Sequence, residues 1–135
     1  MEKAVFSLEK YFFKDIQLHL GNLSKDIGLA IEPNGIYYPK KKKYVLNIDF
    51  FAKDNKKDKV FAYITCVSEF VFEGNVVSKN DIPQFFYGNC IAIIFPYIRA
   101  FISTITLQAN VAPLILPTMN LSSLKERLMN STIEK

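Results

Sequence analysis

The stretch NCIAIIFPYIRAFISTITLQAN, residues 89–110, decides how this chain folds. Between Cys90 and Ile105 only Arg99, Ser103 and Thr104 are strongly polar, and Arg99 and Ser103 stand four apart, on one side of a helix. A helix apolar almost all round needs cover on several faces. A membrane, a large core or a second subunit could supply it. A span from Cys90 to Ala109 would carry Arg99 near its middle, at a cost of about 2.5 to 3.5 kcal/mol. Ser103, Thr104, Thr106 and Pro96 add to the difficulty, so burial between subunits is the better reading and no membrane span is expected. Pro96 should kink or split the helix, because its ring removes one backbone bond and clashes with the preceding turn.

Upstream, Asp81 followed by Pro83 is a helix-start signal. The helix is therefore expected over about 82–107, roughly 26 residues or ~39 Å long. Downstream, Pro113 and Pro117 bracket Leu114, Ile115 and Leu116, which reads as an extended apolar linker over 109–119. Asn120 is placed to cap a short helix over 121–129, helped by Ser123-x-x-Glu126, a capping-box spacing. Leu121, Leu124 and Leu128 share one face of it, and 130–135 should fray.

The N-terminal half reads as a sheet over about 3–73. Residues 3–20 suit a long strand bent near Tyr11–Lys14, with Ile16, Leu18 and Leu20 alternating against Gln17 and His19. Ile27, Leu29 and Ile31 give a short second strand, ended by the turn signal Pro33-Asn34-Gly35. Tyr44–Ala52 is a third, rich in β-branched and aromatic residues. Val60–Phe72 returns as the fourth, with Phe61, Tyr63, Thr65 and Val67 on one face. The fold class expected is α+β, a four-stranded antiparallel sheet followed by a long helix and a short one.

With 135 residues, half of them hydrophobic and 22% charged, the chain fits a single packed domain. Its net charge of +4 is carried by lysine, since only Arg99 and Arg127 are arginines. Lysine is a hydrated point charge without arginine's planar fork. Lys40–Lys43 and Lys53–Lys59 also fall near opposite ends of the third strand, so no specific nucleic-acid site is expected. A basic module with Phe and Tyr in strands stays the alternative of another class. Cys66 and Cys90 read as buried, reduced thiols. Nothing near Met1 has the pattern of a secretory leader, which points to the cytoplasm.

Catalytic constellations are missing. His19 has no histidine or cysteine partner nearby for a metal, and the glycines at 21, 28, 35, 74 and 88 fit no phosphate-binding loop. There is no Gly-x-Ser-x-Gly elbow, and Glu69 and Glu73 read as exposed positions near a turn. The expectation is a protein that is not an enzyme and uses neither metal nor cofactor.

Phe95-Pro96-Tyr97-x-Arg99, Ile102-Ser103 and Pro113-x-x-Leu116-x-Pro117-x-x-Asn120 together resemble the SecB family of export chaperones. Tyr87-x-x-Cys90 to Ile94 and Lys14-Asp15-Ile16 are similar as well, and the likeness spans most of residues 5–128. The resemblance implies an ATP-independent holdase that binds unfolded client polypeptides in apolar grooves, for export or for a dedicated client such as an antitoxin. It implies a dimer of dimers paired through sheets and long helices, with Ile91, Ile94, Phe95, Tyr97, Ile98, Phe101 and Ile102 at the oligomer interface. Carried over by position, the client-binding residues are Ile27, Leu29, Ile31, Leu121, Leu124 and Leu128; Leu121 stands where the family usually has phenylalanine. The export chaperones are acidic and deliver clients to the SecA motor through acidic sheet positions and a C-terminal tail. Here Asp15 matches one such acid, but His19 and Thr65 stand where two others would be and 131–135 lacks the tail pattern, which argues against delivery to SecA.

Overall fold

A computed structural model describes residues 5–112, 114 and 121–135. Four long strands build most of the sheet: β1 (Val5–Leu18), β2 (Ile27–Tyr38), β3 (Lys43–Asp54) and β4 (Lys59–Glu73). They are followed by α1 (Gln84–Gln108), α2 (Ser122–Ser131) and a two-residue β5 (Ile133–Glu134). Sheet order is β1-β4-β3-β2-β5, antiparallel except for β5, which runs parallel to β2. The expected α+β architecture is present, with a fifth strand added.

Strict alternation makes β3 the sheet's centre. Tyr44, Leu46, Ile48, Phe50 and Ala52 are buried on the helix side, while Val45, Asn47, Asp49 and Phe51 point to the outer face. A bulge at Phe61, where Ala52 pairs with Ala62 but Lys53 with Val60, resets the phase of β4. Ile64, Cys66, Ser68, Phe70 and Phe72 therefore share the buried face, and Tyr63, Thr65 and Val67 the outer one. Two further irregularities in β1 fall between Leu8 and Lys10 and between Phe13 and Asp15, the second within the Tyr11–Lys14 segment where a bend is expected.

The Pro33-Asn34-Gly35 segment is not a turn but continuous strand, with Pro33 opposite Ile48 and Gly35 opposite Leu46. Proline is acceptable there because β2 carries β5 on its far side only at Ile36 and Tyr37, so Pro33 has no ladder partner that needs its missing amide. Gly35 is required for space: a Cβ there would overlap the Tyr44 ring, lying 2.9 Å from its Cε1. The 130–135 tail does not fray either. Thr132 is buried, its hydroxyl 2.6 Å from that of Tyr44. Beyond it, β5 pairs with β2, the Lys135 amide donates to the Tyr37 carbonyl, and Glu134 accepts from the Lys79 amide.

Helix α1 packs one face on the sheet through Phe86, Tyr87, Cys90, Ile91, Ile94, Phe95, Ile98, Ile102 and Thr106. Pro96 neither splits nor ends it. Pro96 and Ala92, whose carbonyl loses its helical partner, are both exposed, so water can satisfy that oxygen. By length and composition α1 is the one helix among the described residues able to cross a membrane; one stripe of it is buried within this chain. Its start falls at Pro83, preceded by a capped single turn in which Ser78 and Asp81 bond reciprocally. At its end Asn110 adopts a left-handed conformation, φ 61°, a usual helix stop. The polar residues of the opening stretch hold the returning chain: Ser103 donates to the Leu114 carbonyl and Thr106 accepts from the Leu114 amide. Residues 113 and 115–119 of the 109–119 linker and the Asn120 cap lie outside the described residues. So does the start of the first strand at residues 3 and 4. The Ser123-x-x-Glu126 box is not used, since α2 begins at Ser122 behind Leu121 without a side-chain cap.

Candidate functional site

Two clefts lie along the Ile27–Ile31 segment, one of them where α2 packs against β2. One, of about 300 Å³, lies between β2 and α2 and is lined by Leu29, Ala30, Ile31 and Glu32 from the strand and Leu121, Ser123, Leu124 and Arg127 from the helix. The other, of about 500 Å³, is lined by Leu23, Ser24, Lys25, Ile27, Ala112 and Leu114. Strand alternation supplies the strand side: Ile27, Leu29 and Ile31 recur at period two and so project to one face. Leu124 follows Leu121 by three helical positions, which places both on the same side of α2. Ile27, Leu29 and Leu121 are half-buried, whereas Ile31 and Leu124 are each only 7% exposed at the floor.

Five of the six expected client-binding residues thus line a cleft. The sixth, Leu128, is fully buried and lines neither, because one turn further along α2 the helix closes onto the sheet next to Thr132, whose hydroxyl donates to the Leu128 carbonyl. Sequence reasoning missed Leu23, Lys25 and Leu114, and it missed the ion pair between Glu32 and Arg127 that joins strand to helix at the rim.

Of the residues expected at an oligomer interface, Ile91, Ile94, Phe95, Ile98 and Ile102 are buried within this one chain. Tyr97 is exposed and stacks on Tyr11, centroids 4.3 Å apart, while half-buried Phe101 stacks on Phe13 at 4.0 Å. These stacks join α1 to β1, with Ile16 and Ile93 exposed beside them, while exposed Phe12 lies on the outer face opposite Val67. β1 ends the sheet on that side. Asp15 is exposed on the outer face, opposite Thr65, whose hydroxyl donates to Asp49.

Glu69 is not a loose position near a turn. It sits in β4 with Lys43 at 2.8 Å and Lys10 at 3.1 Å. The hydrogen bond from Lys43 holds its carboxyl below the usual carboxylate range, with Lys10 adding to it. Burial pushes the Cys66 thiol up to about 11 and raises that of Cys90, so both stay protonated at neutral pH and are poor nucleophiles. Among the described residues no three His, Cys, Asp or Glu side chains cluster as metal ligands. Among the described residues both clefts are lined mainly by aliphatic side chains.

Comparison with known proteins gives a consistent result. The protein-family model for preprotein translocase subunit SecB matches residues 1–131. The chain is 32% identical over 131 residues to the uncharacterized protein MJ0357 of Methanocaldococcus jannaschii, covering 90% of this chain and 83% of that protein. It is 21% identical over 133 residues to the protein-export protein SecB of Thiobacillus denitrificans, covering 91% and 86% respectively. Among solved structures it is similar to the Mycobacterium tuberculosis Rv1957 SecB-like chaperone in complex with a ChAD peptide from the Rv1956 HigA1 antitoxin, with a TM-score of 0.70, 16% identity, and coverage of 85% of this chain and 88% of that one. At that identity the likeness is one of fold. With the family model matched from residue 1 to residue 131, the chain belongs to the SecB family.

Proposed function

We propose that this protein is an ATP-independent holdase that keeps non-native polypeptides unfolded and soluble in the cytoplasm. The observation that carries the reading is the pair of aliphatic clefts along Ile27–Ile31, in a chain of the SecB family. Apolar burial is non-directional and contributes about 25 cal/mol per Å², so an aliphatic cleft accepts many client sequences. A client burying ~100 Å² at each subsite gains only about 2.5 kcal/mol there. A long chain engaging several subsites at once gains far more through effective concentration.

Several copies of the chain would supply those subsites. The exposed apolar strip of Tyr11, Ile16, Ile93 and Tyr97 along β1 and α1 is the surface on which we place subunit pairing, with a dimer of dimers as the assembly. The antitoxin-dedicated version of the function is favoured by one observation, the antitoxin peptide held by the structurally similar chaperone. A toxin–antitoxin gene pair beside this gene would support it, and its absence would favour general export. Lys40–Lys43 and Lys53–Lys59 flank opposite ends of β3, which suits solvated loops better than a nucleic-acid groove.

Leu29 provides the test. It is half-buried and lines the β2–α2 cleft, so Leu29→Asp places an unpaired charge against client side chains. Capture of an unfolded, fluorescently labelled client should weaken about tenfold or more, equal to ~1.4 kcal/mol, while the mass in solution stays that of the wild type. Undiminished capture by the folded variant would contradict the assignment of the cleft.

A further inference from the structure

The rim of the two clefts carries charges that an all-purpose apolar groove does not need. Across the mouth of the β2–α2 cleft, Arg127 is ion-paired with Glu32, and the two side chains remain 50% and 54% exposed. Among the described residues the neighbouring cleft is lined by one charged residue, Lys25, and by no acid. Asp26, next in sequence, accepts from the Asn55 side-chain amide and does not line the cleft. The other charges of α2 line neither cleft; a Cβ on Gly88 of α1 would lie 3.7 Å from the Lys125 stem. Each cleft therefore presents a cation beside aliphatic side chains, and the single lining acid, Glu32, is already paired.

We propose that the clefts select client segments in which acidic side chains flank aliphatic ones, with Arg127 and Lys25 receiving the client carboxylates. The inference rests on the holdase reading and specifies its substrate class. A half-exposed ion pair is worth little, so a client carboxylate can replace Glu32 on Arg127 at small cost, and the guanidinium fork suits a carboxylate bidentately. A client lysine would have to displace Arg127 from Glu32 at one cleft and would meet Lys25 at the other. The net charge of +4 acts in the same direction at longer range, drawing acidic segments in and slowing basic ones. Within β2 the run from Ile27 to Glu32 spans roughly 17 Å at ~3.3 Å per residue, and Lys25 lies two residues before it, so a client segment of about eight extended residues suits both cations.

The test uses three labelled peptides of about fifteen residues with the same alternating Leu and Ile positions and either Asp, Asn or Lys at the flanking positions, titrated with the full-length protein by fluorescence anisotropy. The Asp peptide should bind about three- to tenfold tighter than the Asn peptide, and the Lys peptide more weakly than either; the preference should collapse in about 0.5 M salt, where screening acts over a few Å. Arg127→Gln should remove most of the Asp preference, read as the ratio of Asp-peptide to Asn-peptide affinity in the same variant. Glu32→Gln, which frees Arg127, should strengthen Asp-peptide binding. Circular dichroism checks that both variants fold, and Lys25→Gln gives a second, independent reduction. Equal binding of all three peptides, or tighter binding of the Lys peptide, overturns this inference alone. Failure of all three to bind overturns the holdase reading and this inference with it.

Discussion

Truncating Phe86 to alanine is expected to lower the stability of the protein by about 4 kcal/mol. Phe86 has no exposed surface, and its ring is the meeting point of three strands and the first turn of α1. Its centroid lies 4.8 Å from those of Phe6, Tyr44 and Phe72, and 5.6 Å from that of Phe70. These come from β1, β3 and β4, so the cavity left by alanine opens between elements that long backbone ladders hold in place. Such a site can collapse only slightly, which puts the cost toward the upper part of the usual range. At about 3 °C per kcal/mol for a chain of this length, the melting temperature should fall by roughly 12 °C. The neighbouring Phe85 is 46% exposed, and Phe85→Ala should cost about 1 kcal/mol or less. Urea unfolding at fixed protein concentration separates the two. A loss below about 1.5 kcal/mol for Phe86→Ala would contradict this account of the core.

Gly35→Ala is expected to cost about 3 kcal/mol, although it adds a single methyl group. The added Cβ would overlap the Tyr44 ring, and Tyr44 cannot move aside: it is fully buried and its hydroxyl is bonded to that of Thr132. Overpacking of this kind typically costs 1 to 3 kcal/mol, and loss of the buried hydrogen bond adds about 1 more. The consequence is directional. Thr132 leads directly into β5, so displacing Tyr44 should release the C-terminal strand from β2. Hydrogen exchange should show the Lys135 amide, which donates to the Tyr37 carbonyl, losing protection in the variant while the β3 and β4 amides keep theirs. Unchanged protection at Lys135 would show that Tyr44 does not anchor the tail.

These two sites mark how far the sequence could be read. Phe86 falls in the apolar helix, and the alternation of β3 and β4 is local, so both the long helix and the central strands were legible from spacing alone. Gly35 was misread because Pro-Asn-Gly has the same local signal in a turn and in a strand that needs a missing donor and a missing Cβ; only the ring of Tyr44, delivered by β3, decides between them. The tail was misread for a similar reason. Ile133 and Glu134 have little strand character by themselves, and the edge they join at Ile36 and Tyr37 is about a hundred residues away. Aliphatic positions of the candidate site were placed through their likeness to a family and by strand alternation, and most lie in the clefts. The Glu32–Arg127 pair could not be read in advance, since nothing local links a strand glutamate to an arginine on the last helix. Leu128 shows the converse limit: it shares the helical stripe of Leu121 and Leu124, yet the closing angle of α2 makes it core.

The central claim, that these clefts hold unfolded polypeptide without nucleotide, is tested most directly by diluting a denatured, aggregation-prone protein into buffer containing this protein and no ATP, and following light scattering. The account predicts that scattering is suppressed at about one assembled oligomer per client, and that suppression of a client of near-neutral charge persists in about 0.5 M salt because apolar burial is not screened. Scattering that rises as fast as in the protein's absence, at equimolar or higher oligomer, would contradict it.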